Sequence, residues 1–200
     1  MTSTKKKAKK KRKKSRGKAK GSSFERTICK ELTTAFAQFG IKTQDAYRSI
    51  LSGGHKDSFG DISMSSALCK MFPWAIECKW WKNCNVHDLY LPWKKMSKTK
   101  ARFGGWWLQT IQGAAKCKRA PCCVFKANKA VVLCAVLLGD LKPLQQKKLR
   151  EQPYTLTLGP RKKKGSLHRI LVIPWHKFLS SCIDVELQKK KHWDPKRGRR

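Results

Sequence analysis

The run PWAIECKWW at residues 73–81 sets two charges, Glu77 and Lys79, inside an apolar stretch of strand length. Side chains alternate along a strand, so Trp74, Ile76 and Cys78 point one way and Ala75, Glu77 and Lys79 the other, with the two charges about 7 Å apart. If the charged face were pure core, two unpaired charges would cost several kcal/mol. If it were plain surface, the flanking Pro73, Trp74, Trp80 and Trp81 would be out of place. A polar cleft against a sheet satisfies both constraints. The chain uses acids sparingly, 12 Asp and Glu against 47 Lys and Arg, so an acid in such a run carries weight.

The charge is uneven. Residues 1–20 hold 12 Lys or Arg and no acid, and read as a disordered basic tail. Residues 187–200 hold seven with one acid, Asp194, and read as a second basic tail. Residues 21–186 retain 28 Lys or Arg against 11 Asp or Glu, a net of +17. A body that is basic without its tails suits a polyanionic partner, nucleic acid above all.

Within residues 21–186 one domain is expected. GSSFERTICKELTTAFAQFG predicts a helix: Phe24, Ile28, Leu32, Phe36 and Phe39 keep helical spacing, Ser22 with Glu25 fits a capping box, and Gly40 is placed to end it. YRSIL and DISMS predict short strands around the loop SGGHKDSFG, and a polar, mostly loop stretch runs to about Lys100. GGWWLQTIQGAAKC predicts a helix with Trp107, Ile111 and Ala114 on one face. PCCVFKAN and AVVLCAVLL read as strands, and residues 141–151 as a helix interrupted early by Pro143. YTLTLG and RILVIPW form a strand pair joined by PRKKKG, and HKFLSSC a short closing helix. This order belongs to an α/β (α+β) sheet domain, and not to a helical DNA-reading module.

Nine cysteines is an odd number, no stretch of about 18 apolar residues occurs, and no signal-peptide core follows the basic N-terminus. A soluble, reduced, intracellular protein is expected, with its thiols acting mostly as small buried hydrophobes. Two groups invite a zinc reading, Cys78 with Cys84 and His87, and Cys117 with Cys122 and Cys123. Neither has paired CxxC spacing.

Sixteen residues before Glu77, Asp61 stands at the start of the preceding strand. In a β-meander the end of one strand and the start of the next can be neighbours, so Asp61 and Glu77 could share a divalent cation. Hard oxygen ligands suit Mg²⁺, with Mn²⁺ as substitute. Phosphodiester hydrolysis needs this set: carboxylates hold the metal, the metal activates a water, and a lysine positions that water or stabilises negative charge.

The ordered set Glu25, Gly60–Asp61 and Glu77-Cys78-Lys79 resembles the PD-(D/E)XK nuclease superfamily, and most of all its Holliday-junction-resolvase branch, phage-encoded relatives included. The shared features are GSSFER, YRSILSGGHKDSFGDIS, a strand ending in IECK, WWLQTIQGAA and PCCVFKAN, covering roughly residues 21–130. One departure is Gly60, where the pattern has proline. The resemblance implies a restriction-endonuclease-like core, a central mixed sheet flanked by helices. It implies Asp61 and Glu77 as metal ligands, Lys79 as catalytic lysine, and Glu25 as a further ligand or water-holder. Arg48 and Ser52 would contact the scissile phosphate, and Gln109 would be a polar group on the helix behind the site. The implied protein is a Mg²⁺-dependent endodeoxyribonuclease that cuts branched DNA as a homodimer, without organic cofactor or membrane, in a bacterial host cytoplasm if phage-encoded.

Each residue also has a plainer reading. Glu25 fits a capping-box acid, Asp61 could cap a turn after Gly60, and Glu77 with Lys79 could be a surface ion pair. Arg48, Ser52 and Gln109 could be ordinary loop or solvent-facing residues. At least one of Trp106 and Trp107 belongs to the core, although an exposed one could stack on unpaired bases. At the level of function, a related nuclease acting on linear or single-stranded DNA would share the site. A non-catalytic basic nucleic-acid-binding protein would explain the charge, but not the acids at 61 and 77.

Overall fold

The structure, a computed structural model, describes residues 16–49, 60–81, 102–149, 155–158 and 168–191. The expectations for the loop at 51–59, the stretch at 82–100, the turn at 160–165 and the chain ends at 1–15 and 192–200 lie outside the described residues, whereas residues 16–20 and 187–191, expected in the basic tails, are helical.

Helix α1 (Arg16–Phe36) buries Phe24, Ile28, Leu32 and Phe36, the four-residue ridge expected from the sequence. A 3₁₀ turn (Ala37–Phe39) follows, and Gly40 ends it at φ +87° with its N–H on the Ala37 carbonyl. The start differs from the expectation. Ser22 sits a turn and a half inside the helix, where its Oγ accepts from Arg26, so there is no capping box at Ser22 and Glu25. Upstream, Arg16, Lys18, Ala19 and Lys20 are good helix formers and extend the helix in spite of Gly17 and Gly21.

Two short antiparallel strands come next, β1 (Ala46–Arg48) and β2 (Ile62–Met64), paired Ala46 with Met64 and Arg48 with Ile62. They form a ribbon of their own. A short helix α2 (Ser66–Met71), capped by Ser65 Oγ on the Leu68 N–H, leads into β3 (Trp74–Trp81). The β-meander expectation is thus corrected: β2 and β3 lie in different sheets with a helix between them.

The main sheet has five strands in the order β3, β4 (Ala120–Ala127), β5 (Leu133–Leu137), β7 (His168–Pro174) and β6 (Thr155–Leu158). β3 and β4 are parallel, joined across helix α3 (Arg102–Lys116), and every other pair is antiparallel, so the sheet is mixed. β4 and β5 are buried on both faces and accordingly read as continuous apolar runs. One face packs on α1, α2 and the closing helix α5 (Trp175–Lys191), the other on α3.

An aromatic cluster locks the first face. Phe72 meets Phe36, Trp175 and Phe178 edge-on at centroid distances of 6.0–6.2 Å, and Trp74 meets Phe178 at 5.2 Å. Each such ring contributes about 1.5–3 kcal/mol by leaving water. Two late elements differ from expectation. Pro143 begins helix α4 (Pro143–Leu149) where it was expected to interrupt one, since its missing N–H costs nothing in a first turn. The closing helix is 17 residues long, because Val185 and Glu186 continue the buried stripe of Leu179 and Cys182 past HKFLSSC.

Candidate active site

β3 is an edge strand of the main sheet, and an edge leaves backbone donors and acceptors to be satisfied. Asp61 satisfies two of them. Its N–H donates to the Ile76 carbonyl at 2.9 Å, and its Oδ2 accepts the Cys78 N–H at 2.7 Å. Its own carbonyl accepts from the Ser49 N–H at 2.9 Å, tying the strap to β1. Three backbone hydrogen bonds therefore hold Asp61 against β3, one of them on the carboxylate itself, which lies beside Glu77.

Gly60 makes this approach possible. It adopts φ +94°, and a Cβ there would lie 2.7 Å from the Ile76 carbonyl oxygen. Proline, locked near φ −65°, cannot take this conformation. The glycine that departs from the superfamily pattern is thus required by this chain's own geometry.

Glu77 and Lys79 share the sheet face that α3 covers. Glu77 is only 5% exposed, more buried than a cleft would make it. Lys79 Nζ donates to Glu77 Oε1 at 2.5 Å and to Gln109 Oε1 at 3.0 Å. The electrostatics follow from this crowding. Burial, and then the charge of Glu77, push the Asp61 carboxyl up to about 7, against the opposing pull of the Cys78 N–H and Lys79. For Lys79, burial pulls down, but the charge and hydrogen bond of Glu77 outweigh it, so the ammonium is held above its ordinary range and stays protonated. Burial likewise raises the Cys78 and Cys123 thiols, which leaves them neutral and unreactive.

Glu25 projects from α1 and is ion-paired with Arg48 Nε at the end of β1. Its charge also raises Asp61, so it stands within electrostatic reach of the other acids. Of the seven residues singled out from sequence, six are described. They form two adjoining sets: Asp61, Glu77, Lys79 and Gln109 around β3, and Glu25 with Arg48 beside them. Ser52 lies outside the described residues.

Among the described residues, no three His, Cys, Asp or Glu side chains converge into a metal cage. Two carboxylates do meet, and hydrogen bonds within the described residues engage only Asp61 Oδ2 and Glu77 Oε1, not Oδ1 and Oε2. Mg²⁺ keeps several of its waters and is commonly held by one or two carboxylates plus substrate phosphate, so this donor pair fits it. A cation there would also relieve the repulsion that lifts Asp61.

The profile of the family described as Phage putative PDDEXK endonuclease matches residues 16–184. The chain belongs to that family. Membership extends the resemblance past residue 130 to the strands β5, β6 and β7 and most of α5, and makes phosphodiester cleavage the activity to be explained. No curated protein and no solved structure matches the chain. No described helix is long and apolar enough to cross a membrane.

Three features of this PDDEXK site were not read from sequence. The Cys78 N–H that fixes Asp61 is a backbone donor and carries no sequence signal. The Glu25–Arg48 pair spans 23 residues, and only the scarcity of acids hinted that each would find a cation. Trp81 continues the alternation Glu77, Lys79, and that period could have placed it on the face those two charges share.

Proposed function

We propose that the chain is a Mg²⁺-dependent endodeoxyribonuclease that cuts branched DNA such as four-way junctions, acting as a homodimer. The observation that carries the reading is the strap of Asp61 onto the edge of β3, which sets its carboxylate against Glu77 while Lys79 bridges Glu77 and Gln109. Asp61 and Glu77 would hold the metal, which would polarise a phosphoryl oxygen and lower the pKa of a bound water.

The rest of the chemistry belongs to the chain. Lys79, kept cationic by the two acids, offers a fixed positive charge where negative charge develops on the phosphoryl group. Gln109 holds that ammonium in place from α3. Arg48, a third exposed and oriented by Glu25, suits a contact with a neighbouring phosphate. The net +17 of residues 21–186 supplies long-range attraction for DNA. The likeness to resolvases supports the branched substrate, and two coordinated nicks in a four-way junction need two active sites, hence the homodimer.

Labelled four-way junction, linear duplex and single-stranded DNA, each incubated with Mg²⁺ or EDTA, test the reading. Preferential Mg²⁺-dependent nicking of the junction is expected. Cleavage of linear or single-stranded DNA with the junction untouched would remove the substrate assignment, and no Mg²⁺-dependent cleavage at all would remove the enzyme.

A further inference from the structure

Beyond Lys79 on the same face of β3 comes Trp81, about 7 Å further along the strand. Helix α3 meets both positions. Gln109 contacts Lys79, and Trp106, one helical turn earlier, packs on Trp81 with centroids 5.7 Å apart and planes inclined at 47°. The site is therefore built as successive rungs between strand and helix: an ammonium held by an amide, then a pair of tryptophans.

The pair is not core. Both rings are half-buried, whereas the adjoining Trp107 is 2% exposed among Phe103, Phe125 and Cys123. Trp106 also differs from Trp80, which lies on the opposite face of β3. Lys126 Nζ lies 4.1 Å and Lys20 Nζ 5.7 Å from the Trp80 ring centroid, and its Nε1 donates to Asn128 Oδ1 at 2.9 Å. Trp80 is thus committed to the protein on its ring and its polar edge alike. Trp106 leans on Trp81 and Phe125 and keeps part of its ring in solvent.

We infer that Trp81 and Trp106 form a stacking site for an unpaired nucleobase one nucleotide from the scissile phosphate. The inference rests on the proposed reading of Lys79 as the group facing that phosphate, and it narrows the substrate to DNA whose strand is open at the cut. Duplex bases present their edges and not their faces, so an aromatic pair here is used only where a base has left its stack. Branch points, flaps and single strands offer such a base, and continuous duplex does not.

An abasic scan tests this. A single abasic nucleotide is moved position by position through a branched or single-stranded substrate. One position next to the cut should slow wild-type cleavage roughly 10-fold, the scale of one lost base–aromatic stack. Trp106→Leu, which keeps apolar bulk but no ring, should lose that sensitivity, and Trp106→Phe should retain most of it; thermal melts confirm that both remain folded. No sensitive position, or equal sensitivity in Trp106→Leu, overturns the inference while leaving the nuclease intact. If wild-type protein cuts no DNA, the proposed function fails separately. Affinity for single-stranded oligonucleotide in EDTA then decides: a roughly 10-fold loss in Trp106→Leu but not in Trp106→Phe sustains the stacking site, and unchanged affinity overturns it.

Discussion

Replacing Asp61 by Asn should stabilise the metal-free protein while abolishing cleavage. The folded chain holds the Asp61 carboxyl at about 7 against a usual 3.8, because burial and Glu77 disfavour its charge. A raised carboxyl pKa means that the folded state binds the proton more tightly than the unfolded state does. Its effect on stability is therefore absent below about pH 4, grows as pH rises through the interval up to about 7, and is complete above it. At about 1.4 kcal/mol per unit, the full penalty at pH 8 is slightly above 4 kcal/mol, of which about 2–3 kcal/mol develops between pH 5 and pH 8. Asn retains an oxygen to accept the Cys78 N–H and carries no charge. In EDTA, urea unfolding at pH 5 should therefore find Asp61→Asn ahead by only about 1–2 kcal/mol. At pH 8 its lead should grow to about 4 kcal/mol. Mg²⁺ at pH 8 should close the gap by stabilising wild type alone. Titrating groups away from the site are common to both proteins, so the difference reports Asp61 together with the Glu77 charge that lifts it. A variant that runs parallel to wild type between pH 5 and pH 8, or is the less stable at pH 8, would refute the argument that Asp61 is held charged at a cost.

Other consequences are as direct. Lys79→Met should lower the cleavage rate about 100-fold or more, the usual cost of one charge-stabilising donor, while Mn²⁺ affinity measured by calorimetry holds. Lost metal binding would assign Lys79 a role in shaping the ligands. Gly60→Ala should cost about 1–3 kcal/mol in urea unfolding and lower activity too, because the added Cβ meets the Ile76 carbonyl that anchors Asp61. Glu25→Gln and Arg48→Ala should each raise KM for DNA with little change in metal affinity, and the double variant should be no worse than either alone. Weakened Mn²⁺ binding in Glu25→Gln only would make Glu25 a ligand.

Local pattern carried most of the elements. The four-residue spacing of Phe24 to Phe36, the alternation through WAIECKW and the branched runs of β4 and β5 each report a face that must be buried, and burial is what those elements do. The boundaries that were misread all involve residues with two uses. Lysine and arginine repel one another as a tail, yet they are good helix formers once a buried stripe anchors the helix, which is how α1 reaches back to Arg16 and α5 on to Lys191. Pro143 breaks a helix from within and opens one from its first turn. Strand order is a different matter. Nothing local places β7 beside β5, because pairing across 30 or more residues is decided by which apolar faces close the core.

The site shows the same division more sharply. That Glu77 would be compensated was legible, because an acid inside an apolar run has to be paired with something, and Lys79 pairs with it. How Asp61 reaches Glu77 was not legible. Neighbouring strands looked like the obvious route, yet the two lie in different sheets, and the contact is made through backbone: the Asp61 N–H on Ile76 and the Cys78 N–H on Asp61. Those groups are the same in every residue, so no letter announces them. The only trace is Gly60, whose missing Cβ leaves room for the Ile76 carbonyl and whose positive φ turns the chain onto the strand edge. A glycine standing where the superfamily pattern has proline is therefore the backbone route by which this chain brings Asp61 onto the edge of β3. That makes the geometry of the approach, and not the identity of residue 60, the quantity to compare across the family.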